Sequence, residues 1–266
     1  MRKLAMLGML LTCAYGAVLA QGLTADQILD RVEEKGFIAT ETGGMRATVK
    51  LDITAEGETL NYEFRVFFQK GSGEEPDKSL MVYLAPDLVS GTMFLSWTPE
   101  EGDARMWLYL PDLGIVKELI GESREQEFAS GSGISYEDLA QGFSYREDYQ
   151  AELQGEEEVD GMKAYVIVLT PKSGVEADYT QVKLWVEEEH FNVVKMESYT
   201  GDELVKVMTA SDLRDDGLGY IPHRFEFQDL SEDTVSVMTL VDRQEAEIPD
   251  DYFDPEKLPT LQIEGL

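Results

Sequence analysis

Chemistry in proteins is carried most readily by Cys, His and paired carboxylates, and the first two are scarce in this chain. Its 266 residues include one Cys, Cys13, and two His, His190 and His223. The histidines are 33 residues apart and neither belongs to a metal-ligand spacing such as His-x-x-x-His, so each reads as an ordinary surface or turn residue. Gly131-Ser132-Gly133 shares residue types with a nucleophile elbow, but that motif needs Gly-x-Ser-x-Gly between a strand and a helix. Asp212-Leu213-Arg214-Asp215-Asp216-Gly217 likewise lacks the alternating acidic ligands of an EF-hand loop. Glu156-Glu157-Glu158, Glu187-Glu188-Glu189 and Asp215-Asp216 fall at predicted strand ends or turns and read as solvated charge runs. There is no phosphate-cradling Gly-rich loop with its Lys and no dinucleotide fingerprint. The sequence therefore predicts no catalytic residue, no metal site and no cofactor, and a protein that is not an enzyme.

Apolar side chains are the chemistry that remains. Eleven Met, eleven Phe, twelve Tyr and three Trp are spread along the chain. Several segments are apolar at consecutive positions: Val66-Phe67-Phe68, Met93-Phe94-Leu95 and Met106-Trp107-Leu108-Tyr109-Leu110. A strand apolar on both sides needs something packed on both sides. Met adapts to irregular shapes, which suits a core or a greasy cavity equally. Charge narrows the ligand further. With 53 Asp plus Glu against 22 Lys plus Arg, a net charge of −31 and a pI near 4.2, the surface repels phosphate backbones and anionic headgroups, so nucleic acid is excluded as a partner.

The elements that must position these side chains are mostly strands. Met1-Arg2-Lys3, the apolar run Leu4 to Leu11 and the small residues up to Ala20 read as a signal peptide over residues 1–20, cleaved after Ala20. The alternative is a lipoprotein signal, Leu10-Leu11-Thr12-Cys13, with a lipid anchor on Cys13. Beyond residue 20 the chain has no thiol, so neither disulfides nor Cys-based zinc sites are available to it. Leu23-Thr24-Ala25-Asp26-Gln27-Ile28 opens a helix with Thr24 as N-cap, Gln27 closing a capping box and Leu23 against Ile28 as a staple; Gly36 ends it.

From Met45 the hydrophobic period changes from 3.6 to 2. Met45, Ala47, Val49, Leu51 and Ile53 alternate with polar residues, and after Glu56-Gly57 so do Leu60, Tyr62, Phe64, Val66 and Phe68. Further strands are predicted near 79–85, 91–98, 104–110, 115–119, 149–157, 163–170, 178–187, 192–200, 203–213, 220–228 and 234–243. Asp160-Gly161, Gly201-Asp202 and Asp216-Gly217 are hairpin signals. About a dozen strands joined by tight turns predict a mainly β (α+β) protein with one large antiparallel sheet, curled or partly closed. The exception is the irregular stretch 120–147, where Ser135-Tyr136-Glu137-Asp138 predicts the start of a short helix. Such an interruption either carries function or plugs one end of a barrel.

Three segments carry a resemblance. Tyr83-Leu84-Ala85-Pro86-Asp87-Leu88-Val89-Ser90-Gly91-Thr92-Met93-Phe94-Leu95, Met106-Trp107-Leu108-Tyr109-Leu110-Pro111-Asp112-Leu113 and Gly131-Ser132-Gly133-Ile134-Ser135-Tyr136-Glu137-Asp138-Leu139 resemble the outer-membrane lipoprotein-sorting proteins of the LolA/LolB-like superfamily, in its large uncharacterised bacterial branch. The likeness spans residues 21–266, from the capped helix to Ile248-Pro249-Asp250-Asp251-Tyr252-Phe253. It implies a half-open barrel with helices as a lid, in the periplasm, sheltering the acyl chains of a lipoprotein or related lipid. It also implies an inner-membrane transporter as partner and a monomeric carrier. The cavity is expected to be lined by Val49, Leu51, Ile53, Tyr62, Phe64, Val66, Met93, Leu95, Trp107 and Tyr109, with Tyr136, Leu139 and Phe143 on the lid. Arg46 and Arg65 lie on early strands but outside any motif match to the family's lid-latching basic residue. Two other readings stay open: a carrier of free lipid or another small apolar ligand for an inner-membrane exporter, and a structural domain whose concave face is filled by its own side chains.

Overall fold

A computed structural model describes residues 22–35, 43–100, 102–141, 148–175 and 177–263. The signal segment with Cys13, Gly36 and Phe143 lie outside the described residues. The capped helix, α1 (Ala25–Lys35), forms as its sequence dictates: the Thr24 N–H donates to Gln27 Oε1 at 3.0 Å, and the Gln27 N–H donates to Thr24 Oγ1 at 3.2 Å. Because Thr24 is exposed, Thr24→Ala should cost the cap alone, about 1 kcal/mol of stability, read as a lower urea midpoint with an unchanged slope. At the far end of α1, Lys35 Nζ donates to the carbonyls of His190 (3.0 Å) and Tyr220 (2.6 Å), fixing the helix to the sheet.

The strands are β1 (Gly44–Ala55), β2 (Glu58–Gln69), β3 (Asp77–Ala85), β4 (Met93–Thr98), β5 (Arg105–Leu110), β6 (Ile115–Leu119), β7 (Tyr149–Val159), β8 (Met162–Pro171), β9 (Gln181–Glu187), β10 (Val193–Thr200), β11 (Glu203–Asp215), β12 (Tyr220–Asp229), β13 (Thr234–Leu240) and β14 (Gln244–Glu245). All belong to one antiparallel sheet in the order β6-β5-β4-β3-β2-β1-β13-β12-β11-β10-β9-β8-β7, with β14 beside β1. Tight turns hold neighbours in register. Glu56 and Gly57 (φ 52° and 84°) and Asp160 and Gly161 (φ 50° and 81°) join β1 to β2 and β7 to β8, and both residues of each pair have the positive φ that suits strand twist.

Inward residues of all thirteen strands of that path, from Leu119 on β6 to Tyr149 on β7, meet in a single apolar cluster with Ile28 and Leu29 of α1. A flat sheet cannot do this, so the sheet is curved around its own core. The opposite face is covered at two places. Between β2 and β5 it carries Phe67, Leu80, Val82, Met93, Leu95 and Trp107, over which the C-terminal segment lays Phe253 and Leu258. Two short 3-10 turns, Asp250–Phe253 and Leu258–Thr260, shape that segment, and Trp97 Nε1 anchors it by donating to the Phe253 carbonyl at 3.0 Å. Between β8 and β10 a smaller cluster holds Ala164, Val166, Trp185 and Val194.

Three charged or titratable positions depart from the solvated placement expected of them. His223 is buried, with Nε2 3.3 Å from Asp216 Oδ2. Asp216 is itself tied to Arg243, whose side chain is 1% exposed. Glu187 is buried because the β9–β10 turn closes around its carboxylate, which accepts from the N–H groups of Glu189, His190 and Asn192 and from Asn192 Nδ2. These carboxylates satisfy buried donors, a task that composition and local charge density do not reveal.

Candidate functional site

The two unpaired edges of the sheet, β6 and β7, are consecutive in sequence, so the segment between them must cross from one edge to the other. Its described part, residues 120–141, dips into the concave face. Phe128, Ala129, Ile134 and Tyr136 are buried there and Leu139 packs against them. The Phe128 ring lies 5.5 Å from Phe64 of β2, and the Tyr136 ring 4.9 Å from Phe94 of β4.

Local chemistry explains the shape of this plug. Glu127 accepts from the N–H groups of Gly131 (2.7 Å) and Gly133 (2.8 Å), folding Gly131-Ser132-Gly133 into a tight turn. Gly131 has φ +82°, and a Cβ there would stand 3.4 Å from Ile53 Cγ2, so this backbone lies directly on β1 where a side chain is strained. Ser135 then caps α2 (Tyr136–Gln141): its Oγ accepts from the Asp138 N–H at 3.0 Å, and Asp138 Oδ2 accepts from the Ser135 N–H at 2.8 Å.

Among the described residues few polar bonds tie the plug to the sheet. Tyr83 Oη of β3 donates to the Phe128 carbonyl at 2.8 Å, and Thr98 Oγ1 of β4 donates to the Ala140 carbonyl at 2.8 Å. Within the segment Arg124 pairs with Glu137, and Arg124 Nη1 reaches outside it to donate to the Ala104 carbonyl, just before β5, at 3.0 Å. The Tyr136 hydroxyl lies 3.4 Å from that of Tyr83. Desolvation pushes the Tyr83 hydroxyl far above the ordinary phenol range, and the neighbouring Tyr136 adds to the shift, so Tyr83 remains a proton donor.

A family model described as an uncharacterized protein matches residues 75–260, a span from the loop before β3 through the last 3-10 turn. Three solved structures share the fold. A DUF1329 family protein from Desulfovibrio piger superposes with a TM-score of 0.76 at 24% identity, covering 88% of this chain and 97% of the other. A domain described as an outer membrane lipoprotein-sorting protein, from Vibrio parahaemolyticus, gives 0.72 at 22% identity, covering 88% and 96%. A LolA superfamily protein from Nitrosomonas europaea gives 0.63 at 23% identity, covering 88% and 98%. The chain belongs to the family of that model, and its fold is LolA-like. No curated protein matches its sequence.

Within this fold the predicted cavity residues divide between the two faces of the sheet. Val49, Leu51, Ile53, Phe64 and Val66 are buried on the concave face, with Tyr62, Tyr136 and Leu139 packed beside them. Met93, Leu95, Trp107 and Tyr109 are on the convex face beneath the C-terminal segment, so their placement in the same cavity is corrected. The inward residues of β4 and β5 are instead Phe94, Met106 and Leu108. The inversion has a physical cause: both faces of these strands are apolar because both are covered, and alternation then no longer distinguishes inside from outside. Arg46 and Arg65, alternating with inward Met45, Ala47, Phe64 and Val66, sit on the convex face, away from the plug. That face also has a groove of about 380 Å³ lined by Trp97, Arg105, Trp107, Val116, Pro255 and Glu256. The role of Tyr83, which holds the plug, is not legible in sequence because its hydroxyl acts through the non-local contact with Phe128. Among the described residues no three His, Cys, Asp or Glu side chains are grouped to hold a metal.

Proposed function

We propose that this LolA-like protein is a periplasmic carrier of acyl chains, taking those of lipoproteins towards the outer membrane after removal of residues 1–20. The observation that carries the reading is the plug: the connection between the sheet's two edge strands fills the concave face with Phe128, Ile134, Tyr136 and Leu139, while among the described residues few hydrogen bonds tie it to the strands. Withdrawn, it leaves Val49, Leu51, Ile53, Phe64 and Val66 as a ready apolar surface. An acyl chain of about 15 carbons needs such a surface in water, since each CH₂ left exposed costs about 0.8 kcal/mol, or roughly 12 kcal/mol in all. The shared fold with a lipoprotein-sorting domain and a LolA superfamily protein supports the same reading. Loading then falls to an inner-membrane transporter. The acidic surface, −33 once Arg2 and Lys3 are removed (20 basic against 53 acidic residues), keeps a soluble shuttle off anionic headgroups while its interior holds the cargo.

The concave residues are buried by the chain itself, which is also what a purely structural domain requires, and the test is chosen to separate the two. Native mass spectrometry of protein taken from a bacterial periplasm should show a bound lipid or acylated peptide. A synthetic diacylated peptide at a hundredfold excess over its Kd should add about 2.7 kcal/mol, raising Tm by roughly 5–10 °C. A protein that is empty when isolated and unchanged in Tm by the peptide is a structural domain.

A further inference from the structure

The surface beneath the plug is mostly apolar, with the buried hydroxyls of Ser96 and Ser236 at inward strand positions, and the Tyr83 hydroxyl on it is bonded to the plug at Phe128. Tyr83 is 2% exposed, its ring meets Phe64 edge-on at 4.9 Å, and its Oη donates to the Phe128 carbonyl at 2.8 Å. Phe128 places its own ring against the same Phe64. One residue of the plug thus offers the sheet a carbonyl oxygen for Tyr83 and a hydrocarbon group for Phe64. The head of an acyl chain has that outline too: an ester or amide carbonyl followed by hydrocarbon. When the plug withdraws it takes away the Phe128 carbonyl and the Tyr136 hydroxyl, the hydrogen-bond partners of the Tyr83 hydroxyl among the described residues. A donor left facing dry hydrocarbon is costly, and a ligand that returns an acceptor to it is favoured over one that does not. A few fixed polar groups in an apolar site commonly set orientation and specificity in this way.

We infer that Tyr83 selects the ligand, donating its hydroxyl proton to the ester or amide carbonyl of a bound acyl chain at the position taken by the Phe128 carbonyl in the closed protein. The inference rests on the carrier reading and deepens it: cargo is recognised as an acyl group and not merely as hydrocarbon.

Monopalmitoylglycerol and its hexadecyl ether analogue differ in that carbonyl. Titrated separately into the full protein below their micelle concentrations, with binding followed by calorimetry, the ester should bind roughly tenfold more tightly than the ether. In Tyr83→Phe, which also loosens the plug, the ratio of ester to ether affinity should fall to about one. Equal affinity of the wild type for both lipids overturns the inference and leaves the carrier reading standing. A preference that persists in Tyr83→Phe overturns it as well. Failure of the wild type to bind either lipid overturns the carrier reading and this inference together. The wild-type comparison is decisive without the variant.

Discussion

Phe64→Ala should lower the stability of the whole sheet by about 3–5 kcal/mol, whereas Phe128→Ala, which removes the other ring of the same contact, should lower it by about 2 kcal/mol or less. The two rings are 5.5 Å apart and both are buried. What differs is the element that carries each. Phe64 is fully buried on β2, flanked by β1 and β3, and leaves its environment only when the sheet unfolds. Phe128 belongs to the connection between the sheet edges. If that connection undocks while the sheet stays folded, a change in Phe128 can subtract from global stability no more than the plug's own docking free energy. Urea unfolding of both variants gives the two costs. Hydrogen exchange over residues 124–141 and tryptic cleavage after Arg124 should both accelerate in Phe128→Ala and stay slow in the wild type. Equal global costs, with no local acceleration, would make the plug an integral part of the core and remove the main support for a carrier.

Asp216→Asn should cost about 3–5 kcal/mol and lower Tm by roughly 10 °C. Asp216 lies between β11 and β12, where Arg243 Nη1 donates to its two oxygens at 2.8 and 2.9 Å and the buried His223 ring approaches one of them. The Arg243 side chain is almost completely buried, so Asn leaves its guanidinium charge inside the protein without the carboxylate that balances it. Burial alone would raise the Asp216 pKa, but the Arg243 hydrogen bond, the Leu218 N–H, the Arg243 charge and the neighbouring His223 ring outweigh it and hold the carboxyl below the ordinary 3.8. A depressed carboxyl stabilises the fold fully above its unfolded pKa, and that contribution drains away as pH falls through the folded value. The Tm gap between wild type and Asp216→Asn should therefore be wide at neutral pH and narrow progressively below about pH 4. A gap that is small at neutrality, or constant down into acid, contradicts this account.

Most strands, both capping boxes and the interruption between β6 and β7 are legible in the sequence because each rests on local rules. Thr24 with Gln27 and Ser135 with Asp138 cap their helices within a single turn of chain. On β1 alternation assigns the faces correctly, since Lys50 and Asp52 are exposed while Val49, Leu51 and Ile53 are buried. On β4 and β5 it cannot. Met93, Phe94 and Leu95 are all buried, two beneath Phe253 and Leu258 from the C-terminus and one in the concave face, and nothing in that tripeptide states which is which. The same limit hides Glu187, His223 and Asp216. Their burial depends on donors brought from other strands or on a turn closing around a carboxylate, so their neighbours in sequence make them look like surface charge. The site is partly legible for that reason: the concave half on β1 and β2 follows from its pattern, while Tyr83, Phe94 and Met106 emerge only from the packing.

The strand order has a kinetic corollary. Among the described residues every pairing in the sheet joins consecutive strands, except those that β1 makes with β13 and β14 near the other end of the chain. Two meanders, β1–β6 and β7–β13, can each assemble through local hairpins on a microsecond scale, and the large loop-closure entropy is met once, when β1 finds β13. Until that seam zips, the concave face is divided between two unjoined halves, and the plug's contacts with Ile53, Phe64, Tyr83, Phe94 and Thr98 all lie on the first of them. The surface that the plug covers thus belongs to the half that precedes it in the chain, and the plug itself is the covalent tether by which the second half is held beside the first.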